Sequence, residues 1–163
     1  MEESTACYNS PIGFLEIKAS PDFVTSISFL EDKTPPSIQH STPPLIENCI
    51  QQLDEYFSGN RKIFELPIQQ PGTDFQQKVW AELQKISFGE TITYLELAKR
   101  LGDVKSIRAA GSANGKNNLA VIVPCHRVIG SNGKLVGYAG GIWRKKHLLL
   151  HEMKSAASLG LLF

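Results

Sequence analysis

The stretch Val123-Pro124-Cys125-His126-Arg127-Val128 holds the residue types most able to do covalent chemistry. A thiol reacts as its thiolate, and at a pKa of about 8.5 it needs a base or cationic neighbours to form one near neutral pH. His126 is adjacent and Arg127 follows. Adjacency alone does not bring side chains together, because consecutive side chains usually diverge, and a Cys-His pair also occurs as plain structure. Beyond the motif, Val128 to Gly133 reads as a turn. Gly137-Tyr138-Ala139-Gly140-Gly141 is a segment whose backbone can approach a ligand closely. Glu152 then follows an apolar helix face. The helix dipole disfavours an acid at that end, so Glu152 is either an exposed helix-end carboxylate or the group that orients His126. Cys7, Cys49, His40, His147 and His151 show no ligand spacing, and no metal site is expected.

Helices must position these groups. Thr73-Asp74-Phe75-Gln76 has the form of a capping box, followed by an apolar face of Phe75, Val79, Trp80, Leu83 and Ile86. A second box, Thr93-Tyr94-Leu95-Glu96, opens a helix through about Leu101. After a glycine turn, Ser106 is a candidate cap for a helix from Ile107 to about Ala113. Two short helices joined this way fit a helix-turn-helix, and fit ordinary packing as well. In the second helix only Arg108 projects far; Ala109, Ala110, Gly111, Ser112, Ala113 and Asn114 are small. A reader of the major groove needs long polar side chains, whereas small residues admit close backbone approach and leave Arg108 to insert. Tight packing inside the protein is the other reading. Val121-Ile122-Val123 is a short β-branched run, and Ile142 to about Met153 a basic final helix.

The first half predicts strands at 12–19 and 24–30, joined as a hairpin, and a third at 63–68. Residues 34–44, with four prolines, predict a loop. Leu45, Ile46, Cys49, Ile50, Leu53, Tyr56 and Phe57 recur at helical spacing, and Gly59-Asn60 ends that helix. Residues 67–72 join the halves.

The chain has 163 residues, enough for one domain or two small ones. Its net charge of +1 conceals a division: residues 1–74 carry 4 basic against 11 acidic side chains, and 75–163 carry 13 against 5. The basic half can attract a polyanion, although chance partition of surface charge gives the same pattern. No apolar run is long enough for a membrane span, and Met1 to Ser4 shows no secretory signal. Three widely spaced cysteines predict a reducing, cytoplasmic setting.

Together the segments VPCHRVIG, GYAGG, GSANGKNN and TITYLELA and the final HE resemble the O6-alkylguanine-DNA alkyltransferases, over about residues 73–153. The first half resembles the family only in size and element order. The resemblance implies an α+β fold: a small strand-rich α/β domain over 1–70, ribonuclease-H-like in the family, and a mostly helical domain over 73–163 with a helix-turn-helix. Cys125 would be the alkyl acceptor, present here where non-enzymatic relatives replace it. His126 would take its proton through a water, held by Glu152. Tyr94 would supply a proton or hydrogen bond to the leaving guanine. Asn117 would brace the loop before the cysteine. Backbone groups of Cys125 and Val128 would hold the base, Ala139 N–H would contact O6, and Tyr138 and Gly140 would shape the pocket.

In the same resemblance Arg108 would fill the gap left by a flipped nucleotide, on a DNA-facing helix with Ala109, Gly111, Ser112 and Asn114. The residue after Asn117 is usually proline; Asn118 here implies a less rigid turn. The reaction would be stoichiometric and need no cofactor, since the substrate carries the transferred group. The partner would be double-stranded DNA containing alkylated guanine, with no membrane, no obligate protein partner and a monomeric state. A helix-turn-helix regulator without covalent chemistry and a Cys-His hydrolase are the competing readings.

Overall fold

A computed structural model describes residues 2–31 and 42–153. Most of the proline-rich loop at 34–44 lies outside the described residues. The chain divides into two compact units, Met1–Pro71 with Asn118–Ile122, and Gly72–Asn117 with Val123–Phe163. A division at residue 70 therefore misses one excursion, in which residues 118–122 join the first unit. Among the described residues no helix is long and apolar enough to cross a membrane.

The first unit is an antiparallel meander of β1 (Ser4–Ser10), β2 (Gly13–Ala19) and β3 (Val24–Phe29), with helix α1 (Pro44–Phe57). The hairpin expected at 12–30 is β2–β3. β1 was not legible in its polar sequence STACYNS; it forms because β2 pairs with it along all seven residues, Ser4 with Ala19 through Ser10 with Gly13. Ile46, Cys49, Leu53 and Tyr56 are the buried face of α1, and Leu15, Ile17, Val24 and Ile27 that of the sheet. Each large apolar side chain so buried contributes about 1.5–3 kcal/mol.

The strand expected at 63–68 does not form. Gln52 instead holds that segment as a loop, donating to Glu65 O (3.1 Å) and accepting from Glu65 N (2.8 Å). Only Ile68 bridges to Val24. The run 121–123 is not a strand either. Residues 118–120 lie along β3, with Ile27 N donating to Asn118 O (2.8 Å) and Ala120 N to Ile27 O (3.1 Å). Short passes thus cover an edge that would otherwise expose unpaired backbone groups.

The second unit holds α2 (Asp74–Leu83), β4 (Ile92–Thr93), α3 (Tyr94–Arg100), α4 (Ile107–Gly115), β5 (Val128–Ile129) and α5 (Ile142–Met153). The Thr73–Gln76 capping box forms with both of its bonds. Thr93 caps α3 by accepting from Glu96 N (3.1 Å). Ser106 makes no side-chain cap; Asp103 caps a short 3-10 turn ahead of α4 by accepting from Lys105 N (2.9 Å). The buried Trp80 indole donates to Ala113 O (2.9 Å) and ties α2 to α4.

Candidate active site

Cys125 opens a single 3-10 turn, Cys125–Arg127, preceded by a tight turn at Pro124 (φ −81°, ψ 63°) that is closed by Cys125 N donating to Val123 O (2.8 Å). Asn117 Nδ2 donates to Val123 O (2.9 Å), so it braces this segment from the end of α4. The turn buries Cys125, His126 and Arg127 in succession and sends them different ways. His126 does not bond to its neighbour. Its Nε2 meets Glu152 Oε2 at 2.7 Å, and its Nδ1 has no hydrogen-bond partner among the described residues.

Glu152 is fully engaged. Arg127 Nε donates to its Oε1 (2.7 Å) and Nη2 to its Oε2 (3.0 Å), while Nη1 reaches Ile86 O (2.6 Å). Burial alone would raise the Glu152 carboxyl, but His126 and the Arg127 guanidinium outweigh it and hold the carboxyl well below its usual range. Burial lowers the His126 pKa, against the pull of Glu152, so the imidazole is neutral at pH 7. A neutral ring facing a carboxylate must donate Nε2–H to it, which leaves Nδ1 as a bare lone pair. That nitrogen is the one able to accept a proton. Burial pushes the Cys125 thiol up, opposed by a hydrogen bond from Asn117 and the charge of Lys145, so the resting group is the thiol and a base is needed.

The acid side of the stability profile follows. Unfolded histidine protonates below about 6.5 while folded His126 stays neutral, so stability falls with pH from there. Below about 4.5 the unfolded Glu152 carboxyl also protonates while the folded one stays charged, which steepens the loss. Thermal melts between pH 4 and 8 should show both limbs; a melting temperature constant from pH 7 to 5 would contradict the burial of a neutral His126.

A cavity of about 130 Å³ lies against this centre. Tyr94, Asn114, Asn117, Cys125, Tyr138 and Ala139 form its walls with Gly111, Gly115 and Gly137. Tyr94 is the first residue of α3, and its hydroxyl donates to Val136 O (3.1 Å). Helix α4 has two distinct faces. Arg108, Ala109 and Ser112 are exposed, whereas Gly111 and Asn114 face the cavity. Asn114 thus departs from the DNA-facing set expected from sequence: it is only 5% exposed. Val128 and Gly140 are buried beside these elements and are not among the cavity walls; Gly140 O accepts from Arg144 (3.0 Å).

Two residues here were missed. Arg127 was read only as a cationic neighbour, yet it is the clamp on Glu152. Lys145 was read only as part of a basic final helix, yet it is fully buried, donating to Val136 O (3.0 Å) and Gly137 O (3.1 Å). Burial brings its pKa down to about 8, with Cys125 pulling the other way. A signal existed: Lys145 lies seven residues before Glu152, on the same face of α5.

Residues 74–154 match the family model for the 6-O-methylguanine DNA methyltransferase DNA binding domain, and residues 5–70 match that family's ribonuclease-like domain. The chain belongs to this family. The chain is 44% identical over 156 residues to the methylated-DNA–protein-cysteine methyltransferase of Mycobacterium bovis, with 94% of each chain covered. It is 42% identical over 148 residues to the constitutive methylated-DNA–protein-cysteine methyltransferase of Bacillus subtilis, covering 87% of this chain and 90% of that one. The crystal structure of Mycobacterium tuberculosis OGT in complex with DNA superposes with a TM-score of 0.81 at 43% identity, covering 94% of both chains. The fold of the family, a small sheet unit followed by a helical unit, is the fold described above.

Proposed function

We propose that this chain repairs DNA by moving a methyl or alkyl group from O6 of guanine onto its own Cys125. The observation that carries this reading is the buried His126–Glu152 pair, with His126 next in sequence to Cys125, which lines a cavity of about 130 Å³, on a chain of the methyltransferase family. His126 Nδ1 takes the thiol proton through a water. The thiolate attacks the alkyl carbon in line; the sulfur–carbon bond forms, the carbon–O6 bond breaks, and the electron pair leaves with guanine. Tyr94 donates to the departing base, and burial with the nearby Cys125 keeps its hydroxyl protonated at pH 7. The backbone of Cys125 and Val128 and the N–H of Ala139 orient the base, with Tyr138 and Gly140 shaping the pocket. The thioether has no good leaving group, so each molecule acts once.

The basic second unit supplies the DNA contacts, a reading supported by its match to the family's DNA binding domain over residues 74–154 and by the existence of a DNA complex of the mycobacterial relative. The substrate is alkylated guanine in duplex DNA, bound by one copy of the chain. Arg108, exposed on α4, fills the space of the rotated nucleotide. Arg108→Ala should therefore slow repair of duplex DNA by about ten- to a hundredfold, the equivalent of part of the flipping cost, and spare reaction with free O6-benzylguanine. Equal losses on the two substrates would assign Arg108 to the pocket instead. The function itself is tested by intact-mass spectrometry after incubation with methylated DNA. A gain of one methyl on Cys125 is expected; unchanged mass with sequence-specific DNA binding would favour a regulator, and multiple turnover a hydrolase.

A further inference from the structure

Residues 134–138 form neither helix nor strand, yet Gly137, Tyr138 and Ala139 wall the cavity beside Cys125. Side chains must therefore hold that wall. The Lys145 ammonium does so from α5, donating to Val136 O (3.0 Å) and to Gly137 O (3.1 Å). Lys145 is fully buried, and among the described residues both of its hydrogen bonds go to carbonyls and none to a carboxylate. A lysine is rarely buried to this extent without an acidic partner, and an apolar side chain would fill the same space at less cost. Stability alone does not account for a cation here.

Two further contacts tie this ammonium to Tyr94. Its Nζ lies 5.7 Å from the centroid of the Tyr94 ring, within the range of a cation–π contact. The Tyr94 hydroxyl donates to Val136 O (3.1 Å), the same carbonyl that Lys145 holds. A carbonyl oxygen has two lone pairs and takes both donors. The two compete for its electron density, and the ammonium gives the stronger, charge-assisted bond. Val136 O thus keeps a partner when the tyrosine proton turns away, and holds that proton less firmly while it stays. We propose that Lys145 is a positioning residue for Tyr94: it fixes the ring and the wall together at the cavity and leaves the hydroxyl free to donate to the departing base. The inference rests on the repair function above and deepens it, because it assigns what holds the leaving-group donor in place.

Single-turnover methyl transfer at saturating methylated duplex is compared among the wild type, Lys145→Met, Lys145→Gln, Tyr94→Phe and the two double variants. Rates are taken below every variant's melting transition. Lys145→Met keeps much of the side-chain length and donates nothing, whereas Lys145→Gln keeps an N–H donor without the charge. Lys145→Met should be slower by about tenfold or more, a fraction of a general-acid contribution, with duplex affinity unchanged. Lys145→Gln should recover part of that loss. In the Tyr94→Phe background neither substitution should cost more than about a further twofold, because the hydroxyl that Lys145 serves is gone. An unchanged Lys145→Met rate would overturn the assignment. So would losses that add in the Tyr94→Phe background, or equal rates for the two Lys145 variants, either of which would leave Lys145 acting through its charge at Cys125. All of these outcomes leave the function standing. If Lys145→Met does not fold, Lys145→Gln and its own Tyr94→Phe cycle decide; if neither folds, Lys145 is a structural residue and the assignment falls. A wild type that gains no methyl would overturn the function, and this inference with it.

Discussion

Cys125→Ala should abolish methyl transfer and leave duplex binding close to that of the wild type, because the thiol faces the cavity and is no phosphate contact. Burial raises all three thiols, so low acidity does not single one out. Surroundings do. Cys49 sits in the core of α1, pushed up to about 12 by burial with nothing opposing it. Cys7 is raised by burial and by the adjacent charge of Glu16. Only Cys125 has groups pulling toward the thiolate, the Asn117 hydrogen bond and the Lys145 charge, with a cavity in front of it. Cys7→Ser should therefore transfer normally. Cys49→Ser should also transfer, at a cost of about 1–3 kcal/mol for a hydroxyl in an apolar core. Mass spectrometry of each variant after incubation with methylated DNA checks this, and methyl gained by Cys125→Ala would remove the cysteine from its assigned role.

The helices of the second unit were legible because their ends are written in short-range chemistry. The Thr73 box and the Thr93 cap need only residues three positions apart, and both form. The apolar spacing of α1 likewise announces its buried face. β1 was not legible, because its stability comes from the partner strand and not from its own polar residues. Nor was the fate of 118–123. A β-branched run predicts a strand, but these residues serve a distant sheet edge and then turn. Val121 takes φ 72°, and Ile122 N donates to Ala120 O (2.8 Å) around it. A β-branched residue adopts that backbone only at a cost that the surrounding structure offsets.

Asn118 shows the same limit. Where the family usually has proline, sequence suggested a looser turn. The Asn118 N–H instead donates to Gln70 Oε1 (2.9 Å), a bond that proline lacks the hydrogen to make. In the site, the chemistry-bearing residues could be named from the motif, but the faces could not. Periodicity places Asn114 on the small-residue helix without saying that it turns to the cavity while Arg108 turns out. Charge on α5 suggests solvent, while Arg144 and Lys145 spend theirs on the carbonyls of Gly140, Val136 and Gly137.

Glu152→Gln should give the largest loss of stability of any single change considered, together with a severe loss of rate. The carboxylate answers three donors on two side chains, Arg127 Nε, Arg127 Nη2 and His126 Nε2. A glutamine has one acceptor oxygen and an NH₂ that would face donors. It also strands the Arg127 guanidinium, which is buried and, among the described residues, has only Ile86 O as its other hydrogen-bond acceptor. Breaking a buried pair from one side costs about 3–5 kcal/mol, which in a protein of this size lowers the melting temperature by roughly 10 °C or more. Rate falls separately. Without the carboxylate nothing fixes Nε2–H in place, and Nδ1 loses its standing as the bare nitrogen, a loss of about 10²–10⁴. Arg127→Met tests the division. It removes the buried cation but keeps the His126–Glu152 bond, so it should cost stability and retain more activity than Glu152→Gln. The double variant should be more stable than the sum of the two losses predicts, because neither charge is left alone. Melts and single-turnover rates, the latter taken below every variant's transition, separate the effects. A Glu152→Gln protein that melts within about 2 °C of the wild type would mean that the Arg127 pair is not the structural anchor its geometry describes.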